Sequence, residues 1–283
     1  MKKLFLSVII LTLTHTHLVF GGNEPGENTD RLVVKFTDPA KPGFIETSLI
    51  NGGITVVGYQ GKEVIIEAIP RSKKISRNEK SWNNPEKVKG MIKLPVTTTG
   101  LTVEEEHNKM EISVESWKRT IDLNLRVPVN TSLKLSCFNA GDVKVENING
   151  ELEVSNINGK VTLSNISGSI VAHALNNDLL VTMNKVDPKK SMSFSTMNGN
   201  IDVTFPANLR ANVKLKSDNG DIYSDFEIRM EENPRKVIEE NTREKDGKYR
   251  VQIEHAIWGS INGGGPEFQF TSFQGDIFIR KEK

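Results

Sequence analysis

The chain has 283 residues, of which 36 % are hydrophobic and 6 % aromatic, and a formal net charge of +1. So balanced a charge argues against a nucleic-acid binder, which needs a basic surface to neutralise phosphates. The aromatic share is low for an enzyme of this length, while the steady recurrence of Val, Ile and Leu argues against disorder.

Lys2 and Lys3 open the chain, and Leu4 to Leu13 form an apolar run of the length of a signal core, too short for a stable bilayer span. Small residues Gly21 and Gly22 offer a cleavage site. The reading is a secretory signal peptide over residues 1–22, with an uncleaved anchor as the alternative. No Cys stands at the cleavage site, as a bacterial lipoprotein would need. A polar linker, residues 23–30, leads into one domain over residues 31–283. No later segment is long and apolar enough to span a membrane as a helix.

The domain begins with alternating strand patterns, Ser48 to Gly58 and Glu63 to Ala68. A charged insertion near residues 71–89 follows. It carries Arg71, Lys73, Lys74, Arg77, Lys80, Lys87 and Lys89, and reads either as a solvated loop or as a patch for anionic polysaccharide or lipid. Cys137 is the single cysteine, so no internal disulfide exists. Its phase with Leu133 and Leu135 makes it a buried, inert thiol.

From Gly141 the chain repeats every nine residues: GDVKVENIN, GELEVSNIN, GKVTLSNIS, GSIVAHALN and, more weakly, NDLLVTMNK. Val143, Val145 and Ile148 recur as Leu152, Val154 and Ile157, then as Val161, Leu163 and Ile166, then as Ile170, Ala172 and Leu175. Val154 and Leu163, at the same phase of the unit, are expected to face inward. Lys144, Glu153 and Thr162 face solvent. Each unit reads as one short strand and one corner, with Gly150 and Gly159 expected in backbone conformations that suit only Gly or Asn. A single such strand cannot bury its apolar face, whereas copies stacked about 4.8 Å apart can. The fold class is therefore all-β, a single-stranded parallel β-solenoid or β-helix with a nine-residue strand-turn repeat. Two units per coil is the simplest arrangement, three per coil is also open, and an antiparallel meander is the alternative. The recurring Asn147, Asn156 and Asn165, with Asn149 and Asn158, read as amide ladders at corners.

Further copies follow at Met192 to Phe205, Val213 to Phe226 and Phe268 to Arg280, three of them carrying a turn, Gly, Asx and Ile: Gly199-Asn200-Ile201, Gly220-Asp221-Ile222 and Gly275-Asp276-Ile277. A second charged insertion near residues 227–248 is expected to hold a short helix over residues 231–243. The closing Arg280 to Lys283 reads as a charged block on an exposed solenoid end.

The sequence offers no catalytic, cofactor-binding or metal-binding residue. It has no phosphate loop, nucleophile elbow or His-Glu-x-x-His motif, and His107, His173 and His255 share no ligand spacing. The repeats, together with Ile261-Asn262-Gly263-Gly264-Gly265-Pro266 and Thr271-Ser272-Phe273-Gln274-Gly275-Asp276-Ile277, resemble the bacterial putative adhesin domain family, exported repetitive proteins similar to the head-GIN auto-transporter adhesins. The resemblance covers residues 32–283. It implies a β-solenoid of the cell envelope without a catalytic site, and it carries over no functional residue.

The function expected is non-enzymatic: a protein of the periplasm, the outer surface or the secreted fraction, presenting a rigid surface to polysaccharide or protein and acting as a monomer. It needs no cofactor, binds no nucleic acid and keeps no transmembrane span. A self-associating structural element is the alternative, and a carbohydrate-active β-helix enzyme the third reading.

Overall fold

Alternation sets the strands. Ile45, Thr47 and Leu49 are buried while the residues between them face outward, and the same parity recurs at Leu133, Leu135 and Cys137 and at Leu152 and Val154. The structure, a computed structural model, describes residues 29–71, 98–114, 119–231, 237–242, 247–253 and 256–283. The expected signal peptide, most of the linker, residues 72–89 of the first insertion and His255 lie outside the described residues.

In chain order the strands are β1 (Asp30–Lys35), β2 (Gly43–Asn51), β3 (Ile54–Tyr59), β4 (Glu63–Pro70), β5 (Leu101–Glu106), β6 (Lys109–Val114), β7 (Ile121–Pro128) and β8 (Thr131–Asn139). The central strands are β9 (Val143–Glu146), β10 (Asn149–Asn156), β11 (Val161–Ala174), β12 (Leu179–Val186), β13 (Met192–Asn198) and β14 (Ile201–Phe205). Then come β15 (Ala211–Asn219), β16 (Ile222–Ser224), β17 (Ile228–Met230), β18 (Val237–Thr242), β19 (Lys248–Ile253), β20 (Ile257–Ile261), β21 (Glu267–Gln274) and β22 (Ile277–Lys281). There is no helix among the described residues.

The strands stack in two runs. The first run is β1, β4, β7, β3, β9, the first half of β11, β12, β14, β22 and β16. The second is β5, β6, β2, β8, β10, the second half of β11, β13, β21, β15, β20 and β17. β11 passes from one run into the other with register shifts near Ile166, so that 20 strands form one sheet. β18 and β19 pair separately.

The inward side chains of both runs form one core. Phe194 of β13 meets Phe205 of β14 edge-on at 6.2 Å, and Phe205 stacks on Phe268 of β21 at 5.6 Å, so the runs close on each other through aromatic packing.

Three expectations need correction. The sheet is mixed, not purely parallel: β1–β4, β4–β7 and β5–β6 at one end, and β15–β20 and β17–β20 at the other, are antiparallel. Val143, Val161 and Leu179 stand in register, a step of two nine-residue units, but Leu179 is next level with Ile201, so the period holds only through the centre. Where a helix was expected, Val237–Thr242 is a strand paired with Lys248–Ile253, because Val, Ile and Thr favour the extended backbone once a partner strand is within reach.

Order in the stack departs from order in the chain. β2 lies between β6 and β8, and β3 between β7 and β9. At the other end β21 lies between β13 and β15, and β22 between β14 and β16. The last strand is thus an interior rung, and Arg280 to Lys283 do not block an exposed solenoid end as the sequence suggested.

Candidate functional site

The corner leading from the second run to the first carries three parallel rows. An apolar row comes first. Each strand of the second run that enters this corner ends with its inward residue followed by an apolar residue of outward parity. Leu49 and Asn51 are level with Cys137 and Asn139, which sets Ile50 beside Phe138. Ile157 follows, its N–H donating to the Cys137 carbonyl, and Leu175 is tied in by the bond from Asn176 N–H to the Ile157 carbonyl. Met197 N–H donates to the Leu175 carbonyl, and Phe273 is level with Met197. Ile50, Phe138, Met197 and Phe273 are 55 %, 51 %, 45 % and 44 % exposed. Six rungs at about 4.8 Å make a ridge about 24 Å long.

Beside the ridge runs an amide ladder. Asn158 Nδ2 donates to Asn139 Oδ1 at 2.6 Å, Asn176 to Asn158 at 2.9 Å and Asn198 to Asn176 at 2.8 Å. This ladder fixes the corner, since each amide satisfies the next. A third row explains the recurring Asx before Val, Ile or Leu. Its side chain accepts a backbone N–H one rung on: Lys160 to Asp142 at 3.0 Å, Asn200 to Asp178 at 3.1 Å, Asp276 to Asn200 at 2.8 Å and Asp221 to Asp276 at 2.9 Å.

The other corner differs. Asn147 and Asn165 adopt φ of 60° and 57° and share their own amide bond at 3.1 Å. Asn156, in the same phase of the repeat, is instead fully buried, with Nδ2 donating to the Gly141 carbonyl at 3.0 Å. The alternation of corners also separates residues that share one phase of the repeat. Ile148 and Ile166 are buried, but Ile157 and Leu175 are half-exposed members of the ridge.

On the outer face of the second run a row of small polar residues flanks the ridge: Ser48, Ser136, Ser155, His173, Ser195 and Thr271 are in register. His173 Nδ1 is 2.9 Å from Ser195 Oγ. His107 is exposed beside Glu106. Among the described residues no group of three or more His, Cys, Asp and Glu could hold a metal ion. Cys137 is buried and donates Sγ–H to the Gly52 carbonyl at 2.8 Å. Burial, reinforced by Asp142 and partly offset by Arg71, pushes its thiol up to about 11. No helix among the described residues is long and apolar enough to cross a membrane.

Residues 129–256 match the Toastrack DUF4097 family. The Toastrack match takes in the amide ladder and the central repeat, and it agrees with the resemblance read from those repeats. No curated protein matches the sequence. Among solved structures, a putative cell adhesion protein from Clostridium sporogenes ATCC 15579 is 15 % identical, over 90 % of this chain and 100 % of that one, with a TM-score of 0.48. A putative adhesin from Bacteroides fragilis NCTC 9343 is 11 % identical, over 91 % of this chain and 99 % of that one, with a TM-score of 0.33.

The nine-residue repeat does not reveal the ridge, because four of its six members, Ile50, Phe138, Met197 and Phe273, lie outside the repeated units or in degenerate copies. The signal of the ridge is an apolar residue of the wrong parity directly before an amide: Ile50-Asn51, Phe138-Asn139, Ile157-Asn158, Leu175-Asn176, Met197-Asn198 and Phe273-Gln274.

Proposed function

We propose that this is a non-enzymatic, exported protein of the cell envelope, whose residues 31–283 form one β-solenoid domain that presents the ridged corner to polysaccharide or protein partners. Its signal peptide, residues 1–22, is removed on export, and the mature protein works as a monomer in the periplasm or at the outer surface. The ridge carries the reading. Six apolar side chains in an unbroken outward row cost solubility and contribute little to the core, which is the mark of an interaction surface. The ladders beneath hold the row rigid, so that weak contacts made at successive rungs add without a large ordering cost.

The reading is tested with immobilised protein and envelope extract from the native host. The natural chain is expected to retain a component that a Phe138→Ser, Met197→Ser double variant releases at matched stability. Equal retention by both proteins would defeat the ridge as the binding surface. Intact-mass measurement of the protein from that host checks export, and a mass still including Met1 to Phe20 would contradict it.

A further inference from the structure

The row of Asx side chains ends at Asp221. Each earlier member of the series accepts the N–H of a following rung, but β16 is the last strand of the first run among the described residues. The Asp221 carboxylate instead accepts from the Tyr223 hydroxyl, at 3.3 Å. Tyr223 is 50 % exposed and lies parallel to Phe278 of the neighbouring rung, with centroids 5.2 Å apart and planes 9° from parallel. One face of the phenol ring is thus covered by Phe278, and the other is turned away from the stack. A shallow depression beside the pair is lined by Ile222, Ser224, Asp225 and Arg280 as well as by the two rings.

We infer that this end of the first run binds a neutral pyranose ring of a polysaccharide. The free Tyr223 face packs against the C–H face of the sugar, whose weakly positive hydrogens suit the negative face of an aromatic ring. The carboxylates of Asp221 and Asp225 accept hydrogen bonds from the sugar hydroxyls, the stronger charge-assisted kind. Arg280 does not make the site basic. Asp202 accepts from its Nε and Nη2, at 2.7 and 2.9 Å, while its guanidinium covers Phe278 at 5.1 Å. Asp221, Asp225 and Asp276 then outnumber Lys281, so an acidic sugar is repelled and a neutral one is not. A further β-strand fits less well, because an edge of three residues gives a poor template for pairing. The inference rests on the surface-presentation reading and names a ligand class and a second contact point for it, around the corner from the ridge.

Affinity electrophoresis in gels containing hydroxyethylcellulose, dextran or mannan, with alginate as the acidic control, tests the site. The natural chain is expected to be retarded by at least one neutral polysaccharide and not by alginate. Tyr223→Ala should weaken that retardation about tenfold, and Tyr223→Phe should keep it, because the ring face and not the hydroxyl makes the contact. Retardation by none of the neutral polymers, equal retardation by alginate, or an unchanged Tyr223→Ala protein would each overturn the inference. If Phe138→Ser abolishes retardation while Tyr223→Ala does not, the sugar site fails and the ridge reading stands. Growth of the natural chain with concentration that Tyr223→Ala prevents would assign this end to a second copy instead.

Discussion

Gly159 lies against the backbone of Gly141, so close that a Cβ added to Gly159 would fall 2.0 Å from the Gly141 carbonyl oxygen. Gly159 is not among the residues of positive φ, so its backbone conformation, contrary to expectation, does not demand glycine, and the close approach of the rungs does. Gly150 is alike, with a Cβ 2.5 Å from the Thr131 carbonyl oxygen. Gly159→Asn and Gly159→Val are therefore expected to cost about the same, roughly 3 kcal/mol or more, because both insert a Cβ against backbone that cannot yield. Urea melts decide it. An Asn variant melting like the natural protein would return the argument to backbone angles.

Val154 is buried between Leu135 and Ala172 of the neighbouring rungs, while Glu153 faces water. Val154→Asp should cost about 4 kcal/mol, since it puts an unpaired carboxylate among aliphatic side chains. Glu153→Lys should stay within about 0.5 kcal/mol. Equal shifts in the two melts would show that the strand parity is wrong.

Ile148 and Ile157 occupy the same place in successive units, and the corners separate them. Ile148→Ala is expected to cost about 3 kcal/mol through the cavity it leaves, and Ile157→Ala less than about 1 kcal/mol. Comparable costs would remove Ile157 from the ridge. This pair also marks where the sequence was legible. Strand parity could be read, because alternation is dictated residue by residue, and so could the family of stacked rungs, because identical corners recur. The difference between corners could not. It depends on which units share a rung, and that is set by pairing across the stack. The interleaving of β2–β3 and β21–β22 was equally hidden, since nothing in a strand's own residues says which neighbour it will find.

Cys137 couples stability to alkaline pH. Its folded thiol titrates at about 11, above the usual value near 9, chiefly because burial opposes the thiolate. The unfolded chain therefore loses its proton first. The stabilisation is complete below the usual thiol value and is lost as pH rises from there toward 11, by roughly 2–3 kcal/mol. Denaturant midpoints measured at pH 8 and pH 10 should fall further apart for the natural chain than for Cys137→Ala. The native thiol should also react with a disulfide reagent far more slowly at pH 8 than the unfolded one. Equal labelling rates would place Cys137 within reach of solvent.

The last four residues serve the interior of the stack. Ile277 of β22 is level with Ile201 on one side and Ile222 on the other. Within the tail, Lys281 N–H donates to Asp225 Oδ2 at 3.2 Å, Glu282 N–H donates to the Phe205 carbonyl at 2.9 Å, and the Arg280 guanidinium binds Asp202. Deleting Arg280 to Lys283 frees only the Thr204–Phe205 end of β14, while Ile277 to Ile279 stay held between β14 and β16. The truncated protein is expected to lose about 1–3 kcal/mol of stability, the exposed ion pair contributing the smaller part, and to remain monomeric in light scattering across a hundredfold concentration range. Rods or fibres formed by the truncated protein alone would show that the tail guards an edge after all, and would favour the self-associating reading of the molecule.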